Sequence, residues 1–519
     1  MTQNRSALFA SLEDRFDVLV IGGGATGQGI AVDAATRGYR TALVEAGDFA
    51  QATSSRATKL AHGGVRYLAT GQIHLVREAL RERATMLRAA PHLARPLEFV
   101  LPVYRRWQLP YYGAGLKLYD RMAGRATLGP TRMLGAQGAA ELVPGLARAG
   151  LRGGVAYWDA QFNDARLALA LARTASDHGA VVVNYAGCEG LLYESGRVAG
   201  AEVRDVETGA ASTVRAKTVI NAAGIFSDEV RRMDEAQAAP TLALSRGTHI
   251  VVRAEALGGK SAMIVPKTPD GRVIFAVPWE GRIVIGTTDV PVARAAMEPG
   301  HTGGEIDYLL ETVARYLERP VEHGDIVAVY SGLRPLVSGK GAATSRLSRE
   351  HAIRASASGL ISVTGGKWTT YRKMAEDALD FATAQKMLTA APCRTESLRL
   401  HGATEGNKAD GGNLAEYGSD AAEVRALMTE NADLAERMDP EMPYTMAQAV
   451  HAVRAEWART VEDVLSRRTR ALLVDARAAV RAAPRVAKIV ARELGRDEDW
   501  AAAQARAFAE LARRYYLPE

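Results

Sequence analysis

The sequence predicts an α/β protein built from three parts: a parallel βαβ unit, an antiparallel sheet layer and a helical C-terminal part. Near the N-terminus a buried strand, a glycine-rich turn and a helix follow one another. Short β-branched runs joined by turns fill the middle of the chain, and alanine- and arginine-rich helical segments fill its end. Because 519 residues are too many for one core, we expect two or three domains.

The βαβ unit begins with the apolar run DVLVI, which is typical of a buried strand. Gly22, Gly24 and Gly27 follow in a G-x-G-x-x-G pattern. The first glycine allows the turn, the second lets backbone approach a pyrophosphate, and the third lets helix pack on strand. A second strand over 41–44 ends at Glu45, near the spacing of about 20 residues expected of a ribose-binding acid. The unit predicts a Rossmann-type dinucleotide-binding domain but does not separate FAD from NAD.

Hydrophobic periodicity and turn residues place the remaining elements. The predicted elements are helices over 72–90, 446–465 and 475–492, a helix and strand between 156 and 183, a strand over 217–223 that closes on Gly224, and antiparallel strands over 250–252, 272–277 and 282–285, joined by turns at 269–271 and 280–281.

A segment rich in Gly, Asn and Asp marks a domain boundary at about residues 388–420. The predicted division is a discontinuous cofactor domain over 16–95, 150–240 and 345–388, a substrate domain over 96–149 and 241–344, and a C-terminal helical domain over 389–519.

Composition narrows the classes of function. The net charge of +6 suits an anionic substrate or membrane surface, but it is too diffuse to indicate nucleic acid binding. Cys188 and Cys393 stand alone without metal-ligand spacing, which predicts a reducing cytoplasm and no metal site. The sequence contains no apolar run of about 18 residues and no signal-peptide core, so we expect neither a membrane span nor a secretion signal.

Several motifs together resemble the flavin-dependent glycerol-3-phosphate dehydrogenase family. They are AGDFAQATSSRATKLAHGGVRYL over 46–68, IGTTDV over 285–290, YSGLRPL over 330–336, VTGGKWTTYRKMAEDAL over 363–379 and an RRT-x-x-x-LL run from Arg467. The resemblance covers nearly the whole chain and points to the aerobic, quinone-linked members. It implies non-covalent FAD in a domain of the glutathione-reductase-like or D-amino-acid-oxidase-like type.

The resemblance also implies a catalytic site. A phosphomonoester dianion needs two or more permanent cations. The family's phosphate clamp, carried over to this chain, is Arg66, Arg334, Arg349 and Lys367, with Tyr67 donating a hydroxyl. His62 is a candidate general base for the C2 hydroxyl, or else it only hydrogen-bonds the flavin or backbone. Thr287 would orient the substrate hydroxyl.

The glycine turn and the resemblance together give the expected contacts to FAD. Small hydroxyl side chains and amides satisfy phosphate oxygens without bulk, and a helix beginning near Thr369 would direct its positive end at the flavin. The expected contacts are Gly22, Gly24, Ala25, Thr26, Gly27, Glu45, Thr53, Ser54, Ser55, His62, Gly63, Gly64, Gly224, Arg334, Gly365, Gly366, Lys367 and Thr369.

The implied activity is oxidation of sn-glycerol 3-phosphate to dihydroxyacetone phosphate, with electrons passed to ubiquinone or menaquinone at the inner face of the cell membrane. The alternatives are an oxidase that uses oxygen, a flavin-containing tRNA-modification protein or a non-enzymatic flavin-binding protein. Residues 104–122 interleave aromatic and basic side chains, which suits an anionic membrane surface, although the rings could instead pack into the substrate domain. The sequence leaves the oligomeric state open, a homodimer included.

Overall fold

The computed structural model of the chain describes residues 5–64, 72–265, 268, 272–337, 351–404, 412 and 414–518. Its strands in chain order are β1 (Arg15–Ile21), β2 (Thr41–Val44), β3 (Leu60–Ala61), β4 (Ala94–Val103), β5 (Arg132–Leu134), β6 (Gly153–Phe162), β7 (Val181–Val183), β8 (Ala186–Glu194), β9 (Arg197–Asp205), β10 (Ala211–Asn221), β11 (Leu242–Arg253), β12 (Ala262–Val265), β13 (Ile274–Trp279), β14 (Arg282–Gly286), β15 (Val290–Val292), β16 (Ile326–Val337), β17 (His351–Ala355) and β18 (Ile361–Gly365).

The α-helices surround the sheets and build the C-terminal part. In chain order they are α1 (Arg5–Ala10), α2 (Ala25–Arg37), α3 (Ile73–Ala89), α4 (Gln108–Ala123), α5 (Ala136–Leu142), α6 (Asp164–Asp177), α7 (Ser227–Asp234), α8 (Gly303–Ala314), α9 (Tyr371–Ala384), α10 (Ala421–Glu430), α11 (Ala432–Ala435), α12 (Met446–Ala455), α13 (Ala471–Val474), α14 (Ala476–Leu494) and α15 (Glu498–Ala512). Among the described residues, none of these helices is both long and apolar enough to cross a membrane.

The first sheet has the order β17-β18-β10-β1-β2-β7, and the β8–β9 hairpin extends it from β10. β1 pairs in parallel with both β10 and β2, and β18 pairs in parallel with β10. Alternate residues of β1 face opposite sides, so Val18 and Val20 enter the core with helices α2, α6 and α9 while Leu19 and Ile21 enter the opposite core. Burial on both faces explains the continuous apolar run in this strand.

The second sheet is mixed but mainly antiparallel, in the order β15-β11-β14-β13-β12-β4-β6-β3, with β16 on β11 and β5 on β6. The β13–β14 hairpin turns at Glu280 and Gly281, as predicted. The other predicted turn, at 269–271, lies outside the described residues. β6, which falls in the segment assigned from sequence to the cofactor domain, pairs with β4 in this sheet. The domain boundaries therefore stay a prediction.

The C-terminal helices pack on the second sheet through Val251, Trp279 and Tyr330. The predicted helix over 475–492 is confirmed as α14, which begins after an Asp475 side chain that accepts the Ala478 amide. The single helix predicted over 446–465 is wrong. α12 ends at Ala455, Trp457 takes a positive φ of 55°, and a π-helical turn follows at Asp463–Arg468. The predicted α/β fold class with a helical C-terminal part is confirmed.

Candidate active site

A cavity of 440 Å³ lies where the carboxyl ends of β1, β2, β10 and β18 meet. This edge is where parallel α/β sheets bind ligands. Sequence-predicted residues that line it are Gly22, Gly24, Ala25, Thr26, Glu45, Thr53, Ser54, Gly224, Gly365, Gly366 and Lys367. The rest of the wall includes Gln51, Pro335 and Trp368, which lie in the matching motifs but were not predicted as site residues. It also includes residues outside any motif, namely Cys188, Phe226, Glu229, Met233 and Met297.

The three glycines of the turn have different reasons to be glycine. Gly22 has φ +112°, and a Cβ there would lie 2.6 Å from the Ala222 carbonyl oxygen. A Cβ at Gly27 would lie 1.8 Å from the Gly22 oxygen. Gly24 has an ordinary φ of −83°, and its Cβ would meet only Ser54 Oγ at 3.2 Å. The fold therefore requires Gly22 and Gly27, whereas a Cβ at Gly24 would meet only the Ser54 hydroxyl, and Gly24 lines the cavity.

Glu45 ends β2 with its carboxylate at the cavity wall. The Gly23 amide donates to Oε2 at 2.6 Å and the Gly47 amide donates to Oε1 at 2.8 Å. Burial raises the pKa of this carboxyl, and the two amides and Arg467 oppose the rise. A carboxylate held in this way can accept hydrogen bonds from ribose hydroxyls.

The hydroxyl-rich loop after β2 faces two directions. Ser54 Oγ accepts the Ala25 amide at 2.9 Å, the Ser54 carbonyl accepts Trp368 Nε1 at 2.8 Å, and the Thr53 hydroxyl donates to the Leu333 carbonyl at 2.7 Å. Ser55 is buried behind the cavity wall, and its carbonyl faces the C-terminal part of the chain. The structure thus places two of the three predicted hydroxyl residues on the cavity.

Two helix beginnings approach the cavity, which suits a cofactor with a pyrophosphate. α2 begins at Ala25 with no acidic side chain in its first turn. The turn Trp368–Thr370 leads into α9 directly after Gly365 and Gly366, whose φ values of 76° and 82° favour glycine. Thr369 itself is buried and does not line the cavity. The glycine turn, Glu45 and these helix ends fit a dinucleotide such as FAD.

On the substrate side, Arg334 of β16 and Thr287 after β14 are in contact. Arg334 Nη2 donates to Thr287 Oγ1 at 3.0 Å, and Nη1 donates to the Thr288 carbonyl at 3.2 Å. Gly247 of β11 makes room for both, since a Cβ there would lie 2.3 Å from Arg334 Nη2 and 2.7 Å from Thr287 Oγ1. Gly247 was not predicted as a site residue, because it stands outside the motifs and only the strand register brings it beside Arg334 and Thr287.

Asp289 lies between two cations near this pair. Its carboxylate is 3.7 Å from Arg334 and 3.9 Å from Arg272, and it also accepts the Ser245 hydroxyl. Arg272 Nη2 also donates to the Asp289 carbonyl at 3.0 Å. Two guanidinium ions around one carboxylate leave a local excess of positive charge, which suits an anionic group. Arg272 was not among the predicted site residues.

His62 approaches the same region from the opposite side. Its ring stacks on Phe275, with ring centroids 6.5 Å apart. Phe275 is paired with Gly286 across β13 and β14, and Gly286 directly precedes Thr287. A second imidazole, His249, lies against Gly286 and stacks on Tyr330. Burial lowers the pKa of His249 well below its usual range, and Arg334 lowers it further, so this imidazole is neutral.

A buried polar cluster supports the segment that carries His62. The Gly63 amide donates to Asp159 Oδ1 at 3.3 Å, and the same carboxylate accepts Arg83 at 2.9 Å and Tyr119 at 3.0 Å. A Cβ at Gly63 would lie 2.2 Å from the Tyr119 hydroxyl. This cluster carries no motif, and only the buried polar residues of α3, α4 and β6 hint at it.

Several predicted residues do not join the cavity wall or lie outside the described part of the chain. Gly27, His62, Gly63, Gly64 and Arg334 are described but do not line the cavity. Arg66, Tyr67 and Arg349 lie outside the described residues. The complete phosphate clamp therefore stays a prediction, with Arg334 and Lys367 as its described members.

Comparison with known proteins gives the same picture. Residues 17–372 match the family described as FAD dependent oxidoreductase, and residues 393–501 match the C-terminal domain of alpha-glycerophosphate oxidase. The mitochondrial glycerol-3-phosphate dehydrogenase of Homo sapiens is 42% identical over 532 residues, which cover 95% of this chain and 73% of the relative. The glycerol-3-phosphate dehydrogenase of Mycobacterium leprae is 42% identical over 501 residues, which cover 93% and 85%.

A solved structure is similar over the same length. The glycerol-3-phosphate dehydrogenase from Bacillus halodurans, complexed with FAD, superposes with a TM-score of 0.82 at 31% identity, covering 100% of this chain and 99% of that one.

Proposed function

Because the chain belongs to the FAD-dependent glycerol-3-phosphate dehydrogenase family, we propose that it oxidises sn-glycerol 3-phosphate to dihydroxyacetone phosphate and passes the electrons to membrane quinone. The protein is an FAD-dependent oxidoreductase. The observation that carries the substrate class is the Arg334–Thr287 contact beside Asp289 and Arg272. It offers a fixed guanidinium for a phosphate and a hydroxyl for the polyol part of the same molecule.

Each group of residues has a separate role in the proposed reaction. Bound FAD supplies the acceptor for the hydride that leaves C2 of the substrate. The glycine-turn amides, Glu45 and Ser54 hold the dinucleotide part of the cofactor. Arg334 and Lys367, with Arg66, Tyr67 and Arg349, bind the phosphate. Thr287 orients the hydroxyl.

The proton of the C2 hydroxyl must leave together with the hydride. His62 takes it, because its imidazole can accept a proton near neutral pH. The alternative is that His62 only hydrogen-bonds the flavin or the backbone. His62→Asn distinguishes the two: as a base it is required for turnover, and its loss abolishes the rise of kcat with pH. If His62 only forms hydrogen bonds, its replacement lowers kcat but leaves the shape of the pH profile unchanged.

The proposal of membrane quinone as acceptor is supported by one exposed face, which we call the α4 face. It consists of Trp107, Tyr111 and Leu118, with exposed fractions of 58%, 64% and 49%. Met133 is also exposed and lies against α4 at Gly113. Large apolar side chains grouped in this way mark an interaction surface. Tyr112 and Leu116 instead pack inward, so the alternative that the rings pack into the domain holds for Tyr112.

Basic residues frame the α4 face and suit an anionic lipid surface. Arg105, Arg106, Lys117 and Arg121 come from the same segment, and each Lys or Arg near such a surface contributes about 1 kcal/mol. We therefore propose peripheral binding to the cytoplasmic face of the cell membrane, where quinone is available.

The test compares a double variant of the α4 face with a control variant, both as holoenzymes. Trp107→Ser with Tyr111→Ser should lower binding to anionic vesicles and quinone reduction, while dye-linked oxidation of glycerol 3-phosphate stays unchanged. The control is Tyr193→Ser, which removes an aromatic ring with a 47% exposed fraction on β8. Vesicle binding that is equal in the double variant and the parent would exclude the α4 face as the membrane surface.

The same preparation separates a dehydrogenase from an oxidase. In air without dye or quinone, the proposal expects negligible peroxide and slow substrate consumption. Rapid formation of one peroxide per substrate oxidised would instead assign the protein to the oxidases.

A further inference from the structure

The loop over residues 45–59 separates the cofactor cavity from the C-terminal part of the chain. Its cavity face includes Glu45, Gln51, Thr53 and Ser54. The opposite face presents the Asp48 carboxylate and the Ser55 carbonyl to residues after position 460. One face of this loop lines the cofactor cavity. Contacts on its other face fix the position of the loop, and they should therefore affect the binding of the cofactor.

The contacts on that other face come from three arginines in the RRTR sequence at 467–470. We call Arg467, Arg468 and Arg470 the arginine run. Arg467 and Arg468 both donate to Asp48, and Arg468 Nη2 does so at 2.9 Å. Arg470 Nη2 donates to the Ser55 carbonyl at 2.7 Å. The π-helical turn Asp463–Arg468 and the positive φ of 63° at Arg470 direct these side chains to one side.

Further hydrogen bonds connect the run to the cavity wall. Arg467 Nη1 donates to Glu462 at 2.7 Å, and the same carboxylate accepts Gln51 Nε2 at 3.1 Å. Gln51 lines the cavity and accepts the Asp48 amide at 3.2 Å. The charge of Arg467 also acts on Glu45, where it opposes the rise of the carboxyl pKa that burial causes. Arg467 is therefore linked to Gln51 through Glu462 by two hydrogen bonds, and its charge acts on Glu45.

The arginine run is buried, and buried ion pairs often add little to the stability of a fold. Its side chains have exposed fractions of 1–2%, and burying charged groups is costly even when they are paired. Apolar packing of the same volume is often as stable, and buried ion pairs are in some proteins retained because they select one conformation. Within the described residues, the basic groups of the run and of Lys59 contact the carboxyl groups of Asp48, Asp164, Glu462 and Asp463.

We propose that the arginine run consists of positioning residues for the cofactor: held from the C-terminal domain, it fixes the 45–59 loop in its FAD-binding conformation and sets how slowly FAD is released. FAD can leave only when the loop moves, and the loop moves only when its contacts to the run break. The inference rests on FAD binding and not on the substrate or the electron acceptor.

The test is the release rate of FAD from the holoenzyme, followed by the fluorescence of free FAD after dilution. Arg468→Lys keeps the charge but cannot bridge Asp48 and the Glu456 carbonyl, which Arg468 contacts at 2.6 Å. We expect release to become at least about tenfold faster, since charge-assisted hydrogen bonds are lost. Glu462→Gln is milder because this carboxylate is 25% exposed, and it should accelerate release less.

Arg37→Lys is the matched control. Arg37 makes a similarly buried pair with Asp33 at 2.8 Å, at the end of α2 opposite the cavity. It should lower the thermal unfolding temperature without faster FAD release. The proposal is overturned if release from Arg468→Lys and Glu462→Gln equals release from the parent, or if Arg37→Lys accelerates it as much. If Arg468→Lys does not fold, Glu462→Gln alone decides between these outcomes.

Discussion

The cofactor side and the substrate side of this site are built by different means. On the cofactor side, backbone geometry dictates residue type within one continuous stretch: Gly22 and Gly27 have no space for a Cβ, and Glu45 is held by two amides. On the substrate side, side chains from distant strands meet. Arg334 and Thr287 come together only because β11 lies beside both β14 and β16.

This difference explains which parts a sequence reveals. A backbone constraint gives a motif with fixed spacing, so the glycine turn and Glu45 could be predicted from the residue pattern, whereas Gly365 and Gly366 were implied by the family resemblance. A side-chain cluster assembled across strands has no spacing rule. The residues that support such a cluster have no distinctive local sequence. They can be identified only from the pairing register of the strands.

The largest expected effect separates the two roles of the turn glycines. Gly24→Val should yield a folded protein that retains no FAD through gel filtration, because the new side chain meets only Ser54 Oγ within the protein but takes space at the cavity wall. Gly27→Ala should lower the free energy of unfolding by about 1–3 kcal/mol or more, since the new Cβ has no space. Gly304→Val, where a Cβ meets open space, is the control. A Gly24→Val protein that purifies fully yellow would contradict the pyrophosphate assignment.

A smaller effect is expected from removing the central cation of the substrate side. Arg334→Ala should lower kcat/KM for glycerol 3-phosphate by about tenfold to hundredfold, because a charge-assisted contact to the phosphate is lost. The flavin content should stay that of the parent. Arg253→Ala, an exposed arginine at the end of β11, should change neither quantity. Equal kinetics in Arg334→Ala and the parent would refute the clamp.

Gly247→Ala tests the space behind that cation. The added methyl group would lie within 2.3 Å of Arg334 and 2.7 Å of Thr287, so both side chains must move. We expect KM to rise by up to about tenfold, less than in Arg334→Ala, because the charge remains. Steady-state kinetics at saturating FAD measure this, and Gly115→Ala on α4, where a Cβ meets nothing, serves as control. An unchanged KM would show that Gly247 has no part in positioning Arg334.

The smallest effect concerns the pH dependence of stability at His401, which does not line the cavity. Burial alone would lower the pKa of His401, but hydrogen bonds to Asp177 and Asp420 outweigh it and raise the pKa from 6.5 to about 9. A raised histidine pKa stabilises the folded state fully below pH 6.5, and this contribution is lost as the pH rises to about 9. His401→Gln should flatten the fall of the unfolding temperature over that interval. Identical pH profiles for variant and parent would exclude the linkage.

The fold was predictable from sequence where periodicity is strong, and the misses have physical reasons. The 446–465 region reads as one amphipathic helix, yet it breaks after Ala455, where Glu456 pairs with the buried Arg166 and Trp457 takes a positive φ. Local propensity cannot register such tertiary contacts. β6 was not predicted as a strand, and it runs directly into Asn163, the N-cap residue of α6, with no connecting turn between them.

The candidate site, like the fold, could be predicted from the sequence only in part. Gly22, Glu45 and Lys367 carry motif signals and line the cavity. Gly247 was not predicted because no local pattern marks a residue whose importance comes from its neighbour across a sheet. Asp289 lies within the IGTTDV motif, but its position between Arg334 and Arg272 depends on strand pairing.

The most direct test of the account is an anaerobic titration of the purified, flavin-containing protein, followed in the flavin absorption band. We expect glycerol 3-phosphate to bleach this band completely in the parent and free glycerol to leave it unchanged. Arg334→Ala should need much more substrate for the same bleaching. A band that is unchanged by glycerol 3-phosphate, or that glycerol bleaches equally well, would contradict the account.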